Sequence, residues 1–168
     1  MMRVDVSLEG TVKKDKYLEK NAPYKTLRFN LSCNANCLFC NVPPECAEVG
    51  ELNTKQAKRY ILDSIRKGHS RVSITGGEPT IRKDLPVLIR YALENGAVEL
   101  DLQTNALLLE NKGYVKRLKK AGLKIAFVAL HSHLPKVHDT LLGHNNAYQK
   151  CIRGIRNLLD CGIRVDLN

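Results

Sequence analysis

The chain has 168 residues, of which 43% are hydrophobic and 26% are charged, and it carries a formal net charge of +10 at pH 7. This is the composition of an ordinary globular protein, and no repeat or low-complexity tract interrupts it. The longest purely apolar run covers only residues 125–130, which is far too short to cross a bilayer, so we expect no membrane association.

No secretory leader is recognisable at the start of the chain, so we expect a cytoplasmic protein. That compartment is reducing, and the six cysteines are therefore interpreted as metal ligands and core thiols and not as three disulfides. The positive charge suits a polyanionic partner. Basic residues between 112 and 124 fall on a predicted helix that offers no base-stacking aromatic residue except Tyr114, which favours a solvated helix face over a nucleic-acid patch.

The first 25 residues are predicted to be an accessory element, because apolar and polar residues alternate near the start and Gly10 then permits a turn. A strand or small hairpin over 3–13 fits this pattern. From Thr26 onward, short apolar segments alternate with amphipathic ones. Strands are predicted at 27–31, 71–75, 98–102, 124–130 and 163–167. Helices are predicted from 53 or 54 to 68, from 85 to 96, from 111 to 121 and from 146 to 162.

This alternation predicts an α/β fold with a parallel sheet built from strand-helix-strand units. About five strands and four helices make up two-thirds of a (β/α) TIM-like barrel, so we expect a partial barrel over residues 26–168. The last predicted strand has no following helix to cover it, which indicates a domain truncated after its fifth strand.

The loop after the first predicted strand contains Cys33, Cys37 and Cys40, at spacings that allow three thiols to share one metal centre. The polar residues Asn34 and Asn36 between them argue against a buried apolar segment. A structural zinc or an electron-carrying cluster normally takes four protein ligands. Three ligands therefore leave one metal position open for water, substrate or cofactor, which indicates chemistry.

Other cysteines offer alternatives to this interpretation. Cys46 follows Cys40 by six residues, and as a fourth ligand it would close the site and leave no open iron position. Cys151 and Cys161 lie on or beside the last predicted helix without a close cysteine neighbour. We interpret these two as core thiols, the alternative being an auxiliary cluster.

Polar residues also follow each of the next strands, and in parallel strand-helix folds such loops open on one face. After the second strand, Gly76 and Gly77 let the backbone approach a ligand closely, and the carboxylate of Glu78 beside backbone oxygens is a natural seat for an ammonium group. The other strand-end groups are Gln103, Thr104, Asn105, His131, Ser132, His133 and Asn168.

Two groups among these strand-end residues have less specific interpretations. Asn105 is interpreted as a cap of the strand-to-helix turn. If the fourth strand continues through them, His131 and His133 point to the same face, and one of them faces the barrel interior or is satisfied by backbone. His138 and His144 are expected in a polar loop.

The C-x3-C-x2-C loop, with the aromatic Phe39 before its last cysteine and Gly-Gly-Glu-Pro after the next strand, closely resembles the radical S-adenosylmethionine (radical SAM) enzymes. The resemblance runs from about Thr26 to Asn168. It implies a [4Fe-4S] cluster held by Cys33, Cys37 and Cys40, with the methionine part of S-adenosylmethionine on the fourth iron.

The resemblance also implies the roles of the other site residues. Gly76, Gly77 and Glu78 would hold the methionine amino group, Phe39 would lie near the adenine, and Ser132 and Asn168 would contact the ribose or the carboxylate. The reaction it implies is reductive cleavage of S-adenosylmethionine to a 5'-deoxyadenosyl radical that abstracts a substrate hydrogen. The partners it implies are an external one-electron donor of the flavodoxin or ferredoxin type and a peptide, small-molecule or RNA substrate.

The sequence departs from this family in length, because the usual core has six strand-helix units. The rival interpretation is a non-catalytic module that binds zinc or iron through the three thiols and a fourth ligand, Cys46 or a histidine, and that associates with RNA.

Overall fold

A computed structural model describes residues 24–42 and 51–168. The predicted strand or hairpin at 3–13 and the alternative ligand Cys46 lie outside the described residues. The strands are β1 (Tyr24–Arg28), β2 (Arg71–Thr75), β3 (Glu99–Thr104), β4 (Ile125–Val128) and β5 (Arg164–Leu167). The helices are α1 (Thr54–Arg66), α2 (Leu85–Glu94), α3 (Lys112–Ala121), α4 (Pro135–Leu142) and α5 (Ala147–Asp160), with 3₁₀ turns at Pro79–Ile81 and Leu107–Glu110.

The five strands form one parallel sheet in the order β1-β2-β3-β4-β5. Because parallel crossovers are right-handed, a sheet wound in sequence order without reversal places all its helices on the same face. Apolar strand residues such as Leu27, Ile74 and Leu102 pack with helix residues such as Ile61 and Leu118 in a single core. This confirms the α/β fold of a partial barrel. None of the helices in the described ranges has the length and apolarity needed to cross a membrane.

Local sequence signals set the helix ends. Asn53 caps α1 through a capping box in which its side chain accepts from the Gln56 N–H while the Gln56 side chain accepts from the Asn53 N–H. The Asn111 side chain accepts a hydrogen bond from the Tyr114 N–H at the start of α3, and Gly122 ends that helix in the left-handed conformation. These ends agree with the predicted ones.

The four predicted helices are all present, and the structure has one further α-helix in the described residues. The missed helix is α4, which begins at Pro135 and is ended by Gly143 in the left-handed conformation. Both signals were present in the sequence, but only His138 and Leu142 of this short polar segment are buried. The expectation that His138 lies in a polar loop is therefore wrong, because its side chain is fully buried.

The first strand covers 24–28 and not 27–31, so it begins and ends three residues earlier than predicted. It ends at Arg28 because residues 29–32 leave the sheet. The carbonyl of Phe29 accepts from the Leu52 N–H, and that of Asn30 accepts from the Gly77 N–H. The backbone groups that a longer strand would pair in the sheet are thus used to hold the start of the cysteine loop.

Cys151 in α5 and Cys161, which follows the last residue of that helix, both pack in or against the core, as predicted. Cys151 is fully buried in the core, where burial raises the pKa of its thiol to about 12, and Cys161 packs against the same core. The basic residues of α3 lie on its exposed face, and Lys112 pairs with Asp160 at 2.6 Å. A solvated helix face therefore fits this segment.

Candidate functional site

The cysteine loop is attached on one side to the C-terminal end of α4. The Asn36 N–H donates to the carbonyl of Leu142 at 2.9 Å, and the Leu38 N–H donates to that of Leu141 at 3.0 Å. The last carbonyls of a helix have no partner within it, so they are available to bind another segment. A side chain on Gly143 would overlap the carbonyl oxygen of Asn36. The loop therefore lies tightly against the end of this helix.

On its other side the start of the cysteine loop is attached to the loop after β2. The Gly77 N–H donates to the carbonyl of Asn30 and the Glu78 N–H donates to that of Ser32, both at 2.9 Å. A side chain on Gly77 would overlap the carbonyl oxygens of Leu31 and Ser32. The double glycine therefore allows close approach of two backbone segments, which brings the predicted amino-group site next to the predicted metal site.

The carboxylate of Glu78 is buried and bound by protein groups. Its Oε1 accepts from the Thr80 N–H at 2.9 Å and from the Thr104 hydroxyl at 2.7 Å, and its Oε2 accepts from the Asn105 N–H at 2.7 Å. The side chain is only 1% exposed, and burial raises its pKa above the ordinary value in spite of these bonds. Glu78 therefore ties the loop after β2 to the loop after β3.

The three thiols of the loop differ in exposure. Cys33 and Cys40 are exposed and Cys37 is partly buried against Leu107 and Leu142. Partial desolvation of the sulfur atoms raises the pKa of the Cys33 and Cys37 thiols, and the neighbouring cysteines and Glu78 raise both further. Negative charge on Glu78 therefore disfavours ionisation of these two thiols.

The chemistry of the donor set fits an iron-sulfur cluster. Cysteine thiolates are the usual protein ligands of such clusters, and the loop carries three of them within eight residues. Among the residues that the structure describes, no three His, Cys, Asp or Glu side chains form a ready-made site for one ion.

Asn105 connects the cysteine loop with Glu78, and this connection was not predicted from the sequence. Its side-chain amide donates to Asn34 Oδ1 at 2.8 Å and to Cys33 Sγ at 3.8 Å, while its oxygen accepts from the Leu107 N–H at 3.0 Å. The last bond is the predicted cap. The contact with sulfur had no signal in the sequence beyond the position of Asn105 at a strand end.

Phe39 lies in a stack of aromatic rings beside the cysteine loop. Its exposed ring meets His131 edge-on, with ring centroids 4.6 Å apart, and His131 stacks at 6.1 Å on the buried His138. Tyr148 completes the group at 5.9 Å from His138. In the part of the chain that the structure describes, neither ring nitrogen of His138 has a hydrogen-bond partner. The ring therefore packs as an uncharged aromatic group.

We expect this buried histidine to make stability depend on pH. Burial, followed by the charge of His131, lowers the pKa of His138 below its ordinary value of 6.5. The folded chain then binds fewer protons than the unfolded chain, so the contribution is complete above pH 6.5 and is lost as the pH falls through the lower folded pKa. A His138→Phe variant should lose less stability on acidification than the unmodified chain.

Urea denaturation at about pH 7.5 and about pH 5.5, on either side of the ordinary histidine pKa, measures this difference. His133→Phe is the matched control, because it removes a histidine that lies five residues away in the chain and is exposed, not buried. Equal losses of stability in the unmodified chain and in His138→Phe would show that another group is responsible.

The remaining predicted residues lie at other strand ends. Ser132 is in the loop after β4, where its hydroxyl accepts from the Leu134 N–H at 3.0 Å, and Asn168 follows β5 with its N–H bonded to the carbonyl of Val128 at 3.0 Å. Because β4 ends at Val128, the expectation that His131 and His133 share a strand face is wrong. Only His131 of the pair contacts Phe39.

Known proteins share both the sequence pattern and the fold. A sequence model of the Radical SAM superfamily matches residues 27–168. The Fe-coproporphyrin III synthase of Methanosarcina barkeri is 35% identical over 136 residues, which cover 80% of this chain and 33% of that protein. The probable GTP 3',8-cyclase of Methanococcus aeolicus is 32% identical over 150 residues, which cover 86% of this chain and 49% of that protein.

Among solved structures, Streptococcus suis SuiB bound to S-adenosylmethionine matches with a TM-score of 0.69 at 23% identity, over 86% of this chain and 31% of that chain. Native anSMEcpe with bound AdoMet and a peptide matches with a TM-score of 0.67 at 16% identity, over 86% and 43% of the two chains. At these identities the structural matches show the fold alone.

The chain spans half or less of the length of these relatives. The family match nevertheless extends over nearly all of the described residues and includes the cysteine loop, the Gly-Gly-Glu segment and every strand after them. The chain belongs to the Radical SAM superfamily, whose members use a [4Fe-4S] cluster and S-adenosylmethionine.

Proposed function

We propose that this chain is a radical SAM enzyme, or the N-terminal part of one, that binds a [4Fe-4S] cluster and cleaves S-adenosylmethionine reductively. The observation that carries the proposal is the loop of three cysteines held between the end of α4 and the Gly-Gly-Glu segment. Three ligands leave one iron without a protein ligand. The position of the Gly-Gly-Glu segment beside the loop supports a cofactor site at that open iron.

In this proposal Cys33, Cys37 and Cys40 ligate the cluster. Thiolates are the usual protein ligands of such clusters, and the presence of three of them in one short loop beside Gly77 and Glu78 supports this assignment. The exposure of Cys33 and Cys40 supports access to the cluster from solvent. An external one-electron donor of the flavodoxin or ferredoxin type would use that access.

For S-adenosylmethionine we propose the residues that surround the cysteine loop. Gly76, Gly77 and Glu78 would receive the methionine amino group. Because the Glu78 carboxylate accepts bonds from Thr80, Thr104 and Asn105, we assign it the task of holding this segment in place and assign the direct contacts to its backbone. Phe39, whose exposed ring lies beside His131, would pack near the adenine. The strand-end residues Ser132 and Asn168 would contact the ribose or the carboxylate.

When bound, the cluster would pass one electron from that external donor to S-adenosylmethionine, and the chemistry supplied would be cleavage of a carbon-sulfur bond to methionine and a 5'-deoxyadenosyl radical that takes a hydrogen atom from the substrate. The task of the protein is to position S-adenosylmethionine and to keep water and other carbon-hydrogen bonds away from the radical. The two attachments of the cysteine loop and the buried carboxylate of Glu78 fix the parts of the site relative to each other.

The proposal leaves the substrate class open to a peptide, a small molecule or RNA. The curated relatives are named for Fe-coproporphyrin III and GTP, and one solved neighbour is SuiB bound to a precursor peptide. One fold thus carries several reactions, and the shared part of the chain supports the cofactor chemistry they have in common.

Anaerobic reconstitution with iron and sulfide tests the proposal. We expect a brown protein whose visible absorption is bleached by dithionite, an electron paramagnetic resonance spectrum that changes when S-adenosylmethionine is added, and 5'-deoxyadenosine as a product. The spectral change needs only the cofactor site and so does not depend on a complete substrate site.

The alternative is a non-catalytic zinc- or iron-binding module that associates with RNA, which the net charge of +10 favours. A colourless protein that retains one zinc ion per chain after reconstitution would support this alternative and contradict the proposed function. A reconstituted cluster whose spectrum does not change when S-adenosylmethionine is added would contradict the proposed function as well.

A further inference from the structure

We propose that Asn105 is a positioning residue that donates a hydrogen bond to the Cys33 ligand and thereby raises the reduction potential of the cluster. The inference rests on the proposed function, since it requires the cluster. Asn105 lies in the loop after β3, far in sequence from the cysteine loop. Its side-chain nitrogen lies 3.8 Å from Cys33 Sγ, and the residue is only 8% exposed.

The orientation of the Asn105 amide is fixed by its neighbours. Its oxygen lies 3.0 Å from the Leu107 backbone nitrogen, which is only a donor, so the oxygen has to face that group. The NH₂ group then faces Cys33 and also donates to the Asn34 side-chain oxygen at 2.8 Å. A rotated amide would place two donors together at Leu107. The N–H is therefore directed at the sulfur by contacts independent of any metal.

The backbone of Asn105 is held as firmly as its side chain. Its N–H donates to Glu78 Oε2 at 2.7 Å, and the following residue, Ala106, has a positive φ of 60° and donates its own N–H to the Thr104 hydroxyl at 2.9 Å. Hydrogen bonds thus connect Glu78 to Cys33 through Asn105. A rigid donor of this kind keeps its position when the charge of the cluster changes.

A hydrogen bond to a cluster ligand acts more strongly on the reduced state than on the oxidised state. Reduction adds negative charge that is shared with the thiolate sulfurs, and an N–H directed at one sulfur stabilises that charge. Cys40 has a comparable donor, because the Val42 backbone N–H lies 3.4 Å from its sulfur. The backbones of Asn34 and Ala35 also form hydrogen bonds with Cys33. Side-chain substitution leaves these backbone donors in place, so Asn105 can be tested alone.

Redox titration of the reconstituted chain, monitored by electron paramagnetic resonance in the absence of S-adenosylmethionine, tests the inference. In Asn105→Ala the ratio of reduced to oxidised cluster at a fixed applied potential should fall roughly threefold to tenfold, as expected for the loss of one hydrogen bond. Asn105→Ser, whose hydroxyl is able to accept from the Leu107 N–H but is too short to reach Cys33, should show the same fall with the cap retained.

Gln103→Ala is the matched control, because Gln103 belongs to the same strand end but donates to the Ser73 hydroxyl at 3.1 Å and not to a cysteine. Its redox ratio should equal that of the unmodified chain. Equal ratios in the unmodified chain and both Asn105 variants, at full iron content, would overturn the inference. Loss of iron from a normally folded Asn105→Ser would overturn it too, since Asn105 would then serve cluster assembly. A failure of the unmodified chain to form a cluster would instead contradict the proposed function.

Discussion

Replacing Cys37 with alanine is expected to abolish the cluster. In the proposed function only two thiolates would be left, so that no more than two irons would keep a protein ligand. Cys37 is also the thiol of the three that packs against the apolar cluster of Leu107, Leu142 and Ala147. After anaerobic reconstitution, iron and acid-labile sulfide in Cys37→Ala should fall to background and the visible absorption of the cluster should disappear. Iron analysis and absorption spectra measure this directly.

Cys151→Ala is the matched control, because Cys151 is also a cysteine but lies in the core on α5. Its removal should lower the free energy of unfolding by about 1 kcal/mol through lost packing and should leave the iron content unchanged. If Cys151→Ala lost its iron while Cys37→Ala kept it, the assignment of the ligands would be wrong.

Replacing Glu78 with alanine is expected to destabilise the whole cofactor region. The change removes the acceptor of the Thr80 and Asn105 backbone N–H groups, which are buried and would be left without a partner. Each such group costs about 1 to 3 kcal/mol, so the free energy of unfolding should fall by roughly 2 to 6 kcal/mol. Chemical denaturation of the chain without metal measures this loss before any effect on cofactor binding.

Glu51→Ala is a suitable control, since the exposed Glu51 also accepts a hydrogen bond from the cysteine loop, from the Ser32 N–H at 3.3 Å. We expect it to change stability by no more than about 0.5 kcal/mol. A Glu78→Ala variant with normal stability and weakened affinity for S-adenosylmethionine would instead show that the carboxylate contacts the cofactor and does not hold the loops.

Much of the fold followed from the sequence because its signals are local. Alternating apolar segments predicted the parallel sheet, and Asn53, Asn111 and Gly122 marked helix ends where the structure has them. The short helix α4 was missed because its polar residues hid an apolar face of two residues, His138 and Leu142. Periodicity is a weak signal in so short a segment.

For the candidate site, the sequence predicted which strand ends carry polar groups but not which groups touch. The Gly76–Gly77 pair was interpreted as room for a ligand, and its packing could not be predicted: the structure places Gly77 against the carbonyl oxygens of Leu31 and Ser32 at the start of the cysteine loop. The bonds of Glu78 to Thr104 and Asn105 join residues 26 and 27 positions apart. Such contacts depend on the pairing of whole strands, which no local pattern encodes.

The two attachments of the cysteine loop bear on how the metal is inserted. Asn36 and Leu38 are bound to the end of α4, and Ser32 is bound to Glu78, through backbone groups that exist whether or not iron is present. In the proposed function the polypeptide is therefore a template whose backbone is held in place before the inorganic core is assembled, so that less conformational entropy is lost at that step. On the same proposal, we expect substitutions at the end of α4 to alter the maturation of the holoprotein, although α4 lies roughly a hundred residues from the thiols in sequence.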